Sequence, residues 1–283
     1  MNFHIKPTTF VSNVAVKVSN LEQSLVFYTE VLGFKVLNQT ANAAELTADG
    51  KTNILTLVQP NNVLPKEQRR AGLYHFAILL PTPKDLANIV IQLREHGVQI
   101  GASDHLVSEA LYIFDPDGNE IEIYIDRDPS VWQWSNDEVA MAVDPLNFER
   151  LMQHVEPGNF WKGMPEDAVM GHIHLHVSFL QDTEKFYTDG LGFDVVNRFG
   201  AQALFLSSNK YHHHIGVNTW NGEGAPHSSD NAVGLVSYTL MYNDAAAVQA
   251  VVENLNALGA TVVTDNNQTV TIDPSGNRII LTY

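Results

Sequence analysis

Cysteine is missing from all 283 residues, which excludes disulfides and thiolate-bound clusters. Any metal must therefore be held by imidazole, carboxylate, amide or water. Long apolar runs are missing too: nothing approaches the roughly 18 consecutive apolar residues of a membrane span. The opening segment MNFHIKPTTF has no apolar stretch resembling a signal peptide, so a cytoplasmic location is the expectation. Basic residues are scarce, 16 Lys and Arg against 32 Asp and Glu, giving a formal net charge of −16. Such a surface repels phosphate backbones and anionic lipid, which argues against nucleic acid and membrane as partners.

Apolar residues make up 45% of the chain and charged residues 17%, a balance that can build a substantial core without staples. The 12 histidines are more informative, because several lie in short clusters.

Two segments read almost alike, VKVSNLEQSLVFYTEVLGFKV at 16–36 and LHVSFLQDTEKFYTDGLGFDV at 175–195. Val18 matches Val177, Phe27-Tyr28 matches Phe186-Tyr187 and Gly33 matches Gly192 at one constant offset. A second pair, GLYHFAILLP from Gly72 and GLVSYTLMYN from Gly234, closes with DPDGNEIEIY and DPSGNRIILTY. Agreement over this length marks an internal duplication. Each unit begins with an alternating strand, as in Val14, Val16 and Val18 against Asn13, Ala15 and Lys17. A helix with Leu25, Tyr28, Val31 and Leu32 at helical spacing follows and stops at Gly33, then strands return after a Pro-Asp-Gly-Asn or Pro-Ser-Gly-Asn turn. The chain holds four such units. Residues 127–169, with Pro129, Trp132, Trp134, Pro157, Trp161 and Pro165, read as a linker containing one helix near 145–155.

Four βαβββ units carrying FYTEVLGF and FYTDGLGF resemble the vicinal oxygen chelate superfamily, which includes glyoxalase I, bleomycin-resistance proteins and extradiol ring-cleaving dioxygenases. The resemblance spans nearly the whole chain except the linker. It implies an α+β fold of four modules forming two curled-sheet domains, expected at 10–126 and 170–283, with metal bound inside a cup. Fold alone does not choose among the activities.

Three positions carry chemistry. In GHIHLHVSF, Ile173, Leu175 and Val177 alternate with His172, His174 and His176, so one strand face is apolar and the other bears imidazoles. The resemblance selects His172, which follows the glycine, as a ligand; His174 and His176 are at least as well explained as satisfied polar residues. His75 occupies the matching place in LYHFAILL, and in DPDGNEIEIY the ligand position is Glu122. Unit one has Asn13 where unit three has His172, while unit four has Ser237 and Ile280 where unit two has His75 and Glu122. Ligands thus survive only in units two and three, which are expected to share one working cup. The order His, Glu, His departs from the family's two-domain ring-cleaving enzymes, whose order is His, His, Glu.

Two imidazoles and one carboxylate, with other positions open, suit a non-haem iron(II) oxygenase; manganese(II) fits the same donors. A longer motif, HLVSEALYIFDPDGNEIE, resembles the ring-cleaving signature through His105, Tyr112, Asp115-Pro116, Gly118 and Glu122, departing at Ser103 where the family usually has glycine. In YHHHIGVN, alignment of the following apolar residues selects His214 as the acid/base, with His213 preceding it. Tyr112 and His105 would assist. The expected reaction is extradiol cleavage of a catechol by dioxygen to a muconic semialdehyde. A glyoxalase-like isomerase or lyase, which would need a fourth ligand, and a non-catalytic binding protein are the alternatives. Exposed sheet edges leave room for a homo-oligomer.

Overall fold

The computed structural model describes residues 2–156, 158 and 160–283; Pro157 of the linker lies outside them. Unit one comprises β1 (Phe10–Lys17), α1 (Leu21–Val26), β2 (Lys35–Gln39), β3 (Ala43–Thr47) and β4 (Leu55–Val58). Unit two comprises β5 (Gly72–Leu79), α2 (Pro83–Glu95), β6 (Gly101–Asp104), β7 (Ser108–Phe114) and β8 (Glu120–Asp126). The linker carries the short strands β9 (Trp134–Ser135) and β10 (Glu138–Val139) and helix α3 (Phe148–Met152). Unit three follows with β11 (Val169–His176), α4 (Leu180–Lys185), β12 (Asp194–Phe199), β13 (Ala203–Ser207) and β14 (Ile215–Asn218). Unit four ends the chain with β15 (Gly234–Met241), α5 (Ala245–Ala257), β16 (Val262–Asp265), β17 (Gln268–Ile272) and β18 (Arg278–Thr282).

Sheet pairing crosses the two halves of the sequence. One eight-stranded sheet runs β16-β17-β18-β15-β1-β4-β3-β2, joining units four and one. The other runs β12-β13-β14-β11-β5-β8-β7-β6, joining units three and two. At the centre of the second sheet β11 lies antiparallel to β5, with His174 opposite His75. Segments 10–126 and 170–283 are therefore sequence repeats whose units exchange partners. The units that kept ligands are the ones that pair.

Alternation explains the layers. Phe76, Ile78, Ile121, Ile123, Ile173 and Leu175 are fully buried and join Val14 and Val16 of β1 in one apolar core. Leu86, Val90 and Leu93 of α2 close it from outside. The opposite face of the second sheet carries the polar set.

The repeated FYT segments depart from simple helix. Phe27–Val31 and Phe186–Gly190 widen into π-helical turns, with Leu32 N donating to Phe27 O and Leu191 N to Phe186 O at 3.1 Å. The buried Tyr28 hydroxyl then reaches Asp115 Oδ2 at 3.0 Å, and Tyr187 reaches Asp273 Oδ2 at the same distance. Each Asp also accepts from the Asn four residues on, Asn119 or Asn277, through backbone and side chain. The paired motifs are structural clasps, each joining one unit to the next. Gly33 has φ +82°, and a Cβ there would stand 2.3 Å from Gly163 Cα, so the linker packs directly on this turn.

Candidate active site

Strand register places the donors. Across the second sheet, His172 faces Ala77, Ala77 faces Glu122, and Glu122 faces Tyr112. Because Ala77 ends at Cβ, the longer side chains on either side can meet above it. His75 lies two residues earlier on the same strand face as Ala77. His75 Nε2 stands 3.1 Å from Glu122 Oε2, and His172 Nε2 stands 3.2 Å from the same oxygen.

The three donor atoms lie within 4.8 Å of one another, and all three residues are buried. No fourth His, Asp or Glu joins the group among the described residues. Among the described residues, both ring nitrogens of His75 and Nδ1 of His172 find no hydrogen-bond partner. A buried unpaired polar atom costs roughly 1–3 kcal/mol, so an imidazole nitrogen aimed at a carboxylate without hydrogen-bond geometry fits a cation-binding role. Burial pushes His172 down to about 4, only partly opposed by Glu122, leaving a neutral ring with a lone pair for a cation. Burial works against ionising Glu122, but His172 and His75 outweigh it and hold the carboxyl well below its ordinary range. This donor set suits a divalent metal.

Gly171, just before His172, has a local cause. A Cβ at that position would stand 2.2 Å from the Tyr124 hydroxyl oxygen, so only glycine lets the buried tyrosine pass beneath the ligand strand.

A cavity of about 420 Å³ is lined by His75 and Glu122 of the triad, and both His105 and Tyr112 line it too. His105 Nδ1 lies 2.7 Å from the Ala142 carbonyl, which can only accept, so in the neutral ring Nε2 accepts from the Tyr112 hydroxyl at 2.7 Å. Burial, followed by the Glu122 charge, raises Tyr112 well above its ordinary pKa, so the phenol keeps its proton.

His214 is placed outside the cavity. It is fully buried, receives the Ser208 amide at Nδ1, and donates through Nε2 to the Phe3 carbonyl. His213 lines the cavity instead, its ring centroid 4.1 Å from that of His172. Strand β14 begins only at Ile215, so residues 211–214 lie in a bend whose side chains the apolar residues that follow do not orient. His212 Nε2 meets Asp126 Oδ1 at 2.8 Å, and its Nδ1 meets His213 Nδ1 at 2.8 Å. A carboxylate only accepts, so neutral His212 is protonated at Nε2 and accepts at Nδ1. His213 must then donate through Nδ1, which leaves its Nε2 bare. Burial, reinforced by the neighbouring imidazoles, pushes His213 well below the usual histidine range.

Sequence reasoning passed over Asp126, although the alternation Glu120, Glu122, Tyr124 continues to it. His174 and His176 are joined through Asn218, whose amide donates to His174 Nε2 at 3.0 Å and whose Oδ1 lies 2.7 Å from His176 Nδ1. The linker supplies the remaining wall. Asp104 and Asp144 exchange backbone hydrogen bonds of 2.8 and 3.0 Å, and Arg150 of α3 pairs with Glu109. Among the described residues no helix is long and apolar enough to cross a membrane.

Comparison with known proteins agrees with this architecture. The model of the Glyoxalase/Bleomycin resistance protein/Dioxygenase superfamily matches residues 11–123 and again 169–281. A Bacillus subtilis (strain 168) protein named catechol-2,3-dioxygenase is 43% identical over 280 residues, 98% of each chain. Biphenyl-2,3-diol 1,2-dioxygenase 3 of Rhodococcus globerulus is 31% identical over 123 residues, 42% of this chain and 65% of that one. Glyoxalase I from Zea mays superposes with a TM-score of 0.60 at 16% identity, covering 96% of this chain and 92% of that one, which speaks for the fold alone. Matched in both repeats and aligned end to end with a relative, the chain belongs to the glyoxalase/bleomycin resistance protein/dioxygenase superfamily.

Proposed function

We propose that this chain is an extradiol dioxygenase that opens the ring of catechol or a substituted catechol, using iron(II) held by His75, Glu122 and His172. The observation that carries the reading is the convergence of three donors within 4.8 Å beside an open cavity that His75 and Glu122 line. The near full-length likeness to a protein named catechol-2,3-dioxygenase supports the same activity. Manganese(II) suits the same donors. When bound, the metal supplies Lewis-acid and redox chemistry and leaves positions for a diol and dioxygen.

The protein's own groups handle protons and orientation. His213, whose ring lines the cavity, takes a proton from an incoming phenol at Nε2 and later returns it. Asp126 and His212 fix the tautomer that makes this possible. The Tyr112 oxygen, whose proton is given to His105, accepts from the second hydroxyl and so orients the diol. His105, anchored to Ala142, holds that phenol in place. Buried side chains around the triad exclude bulk water.

Anaerobic loading with iron(II), then addition of catechol and oxygen, tests the reading. Stoichiometric oxygen uptake with a yellow ring-opened product is expected. A loaded protein that consumes no oxygen with any catechol, yet isomerises a thiol conjugate, would overturn it.

A further inference from the structure

The cavity is polar at its floor and apolar at its outer wall. The linker contributes Met141 and Val143, and unit three contributes Phe199, Phe205 and Trp220. Val143, Phe199 and Trp220 are 64%, 40% and 44% exposed, so they stand at the mouth and are open to a ligand. Among the described residues, no lysine or arginine lines this cavity. The cations are next door: Lys17, Lys66, Arg69 and Arg70 line a separate pocket that shares Tyr74 and Glu120 with the first. Glu120 lines both pockets, so Lys66 approaches its carboxyl from the neighbouring one while the substrate side itself holds no lysine or arginine.

A ring substituent bearing a carboxylate would lose hydration against these apolar side chains and find no lysine or arginine in a cavity that Glu120 also lines. An alkyl or aryl substituent would gain from burial against the same surfaces. We infer that the site selects catechols with an uncharged apolar substituent and rejects carboxylated ones, with Met141, Val143, Phe199 and Trp220 forming the subsite. This inference rests on the catechol reading above. Val143 makes the most direct probe, since its exposed side chain can be exchanged without disturbing the core.

The test compares propylcatechol with dihydroxyphenylacetate, a carboxylated catechol of similar size, on the iron(II)-loaded protein. Binding is measured anaerobically by calorimetry, and oxygen uptake is measured separately. Propylcatechol should bind roughly 30-fold or more tightly than its carboxylated counterpart, because the alkyl chain gains from burial while the carboxylate meets apolar side chains and no lysine or arginine. Val143→Lys should tighten dihydroxyphenylacetate by about 10-fold and weaken propylcatechol, as a cation placed at the mouth would. Equal or tighter binding of the carboxylated ligand to the native chain would overturn the inference, as would failure of both ligands to bind. Selective binding without oxygen uptake would uphold the selectivity while removing the dioxygenase reading.

Discussion

The Nδ1 atoms of His212 and His213 stand 2.8 Å apart, and Asp126 holds the far nitrogen of His212 at 2.8 Å. In the proposed reaction this relay leaves the second nitrogen of His213 free to act as the base. His213→Ala should keep its metal and lose about 10²–10⁴-fold in kcat, the usual contribution of general acid–base catalysis. Asp126→Asn should lose less and shift the pH profile, because the amide can reverse the tautomer of His212. His214→Ala should mainly lower thermal stability, since that ring is engaged by Phe3 and Ser208. Steady-state oxygen uptake beside metal analysis checks all three variants.

Ala77 provides the room in which His172 and Glu122 meet. Ala77→Val would add branches between them on the strand face they share. The folded protein should persist with metal affinity reduced by about 10²-fold, of the order seen when groups that orient metal ligands are removed. Calorimetric titration with a divalent metal, alongside circular dichroism, measures both quantities.

The clasp between Tyr28 and Asp115 should affect stability rather than chemistry. Tyr28→Phe removes one buried hydrogen bond and should cost about 1 kcal/mol in denaturant unfolding, with kcat unchanged. Gly171→Ala drives a Cβ into Tyr124 and should cost about 1–3 kcal/mol through overpacking.

Acid should destabilise the metal-free protein over a defined window. Burial lowers both His172 and His176 to about 4 from an ordinary 6.5, so between those values the unfolded chain binds protons that the folded one refuses. Stability should be level above pH 6.5 and fall below it, by about 1.4 kcal/mol per pH unit for each ring at most. Urea unfolding from pH 7.5 to 4.5 reads this directly; a flat profile would contradict it.

The sequence displayed the duplication and the candidate metal donors because both rest on period-two strands. His172 stands out against Ile173, Leu175 and Val177, and Glu122 against Ile121, Ile123 and Ile125. Loss of candidate ligands from units one and four pointed to a cup shared by units two and three, but the two halves at 10–126 and 170–283 left direct pairing of those units open, and the sheet order supplies it. His213 was hidden because its segment is a bend whose orientation is set by Asp126, distant in sequence. The π-helical turns were hidden for a related reason: their widening serves the contact of Tyr28 and Tyr187 with partners far along the chain. The linker's share of the cavity wall likewise depends on tertiary anchoring at Asp104 and Glu109.

Metal stoichiometry decides most directly whether the three donors act together. Equilibrium dialysis of the purified chain against iron(II) under anaerobic conditions should give one ion per chain, and Glu122→Ala, His75→Ala and His172→Ala should each reduce occupancy to near background while remaining folded. An ion that binds equally well to all three variants, or a native chain that takes up none, would contradict a site built from these residues.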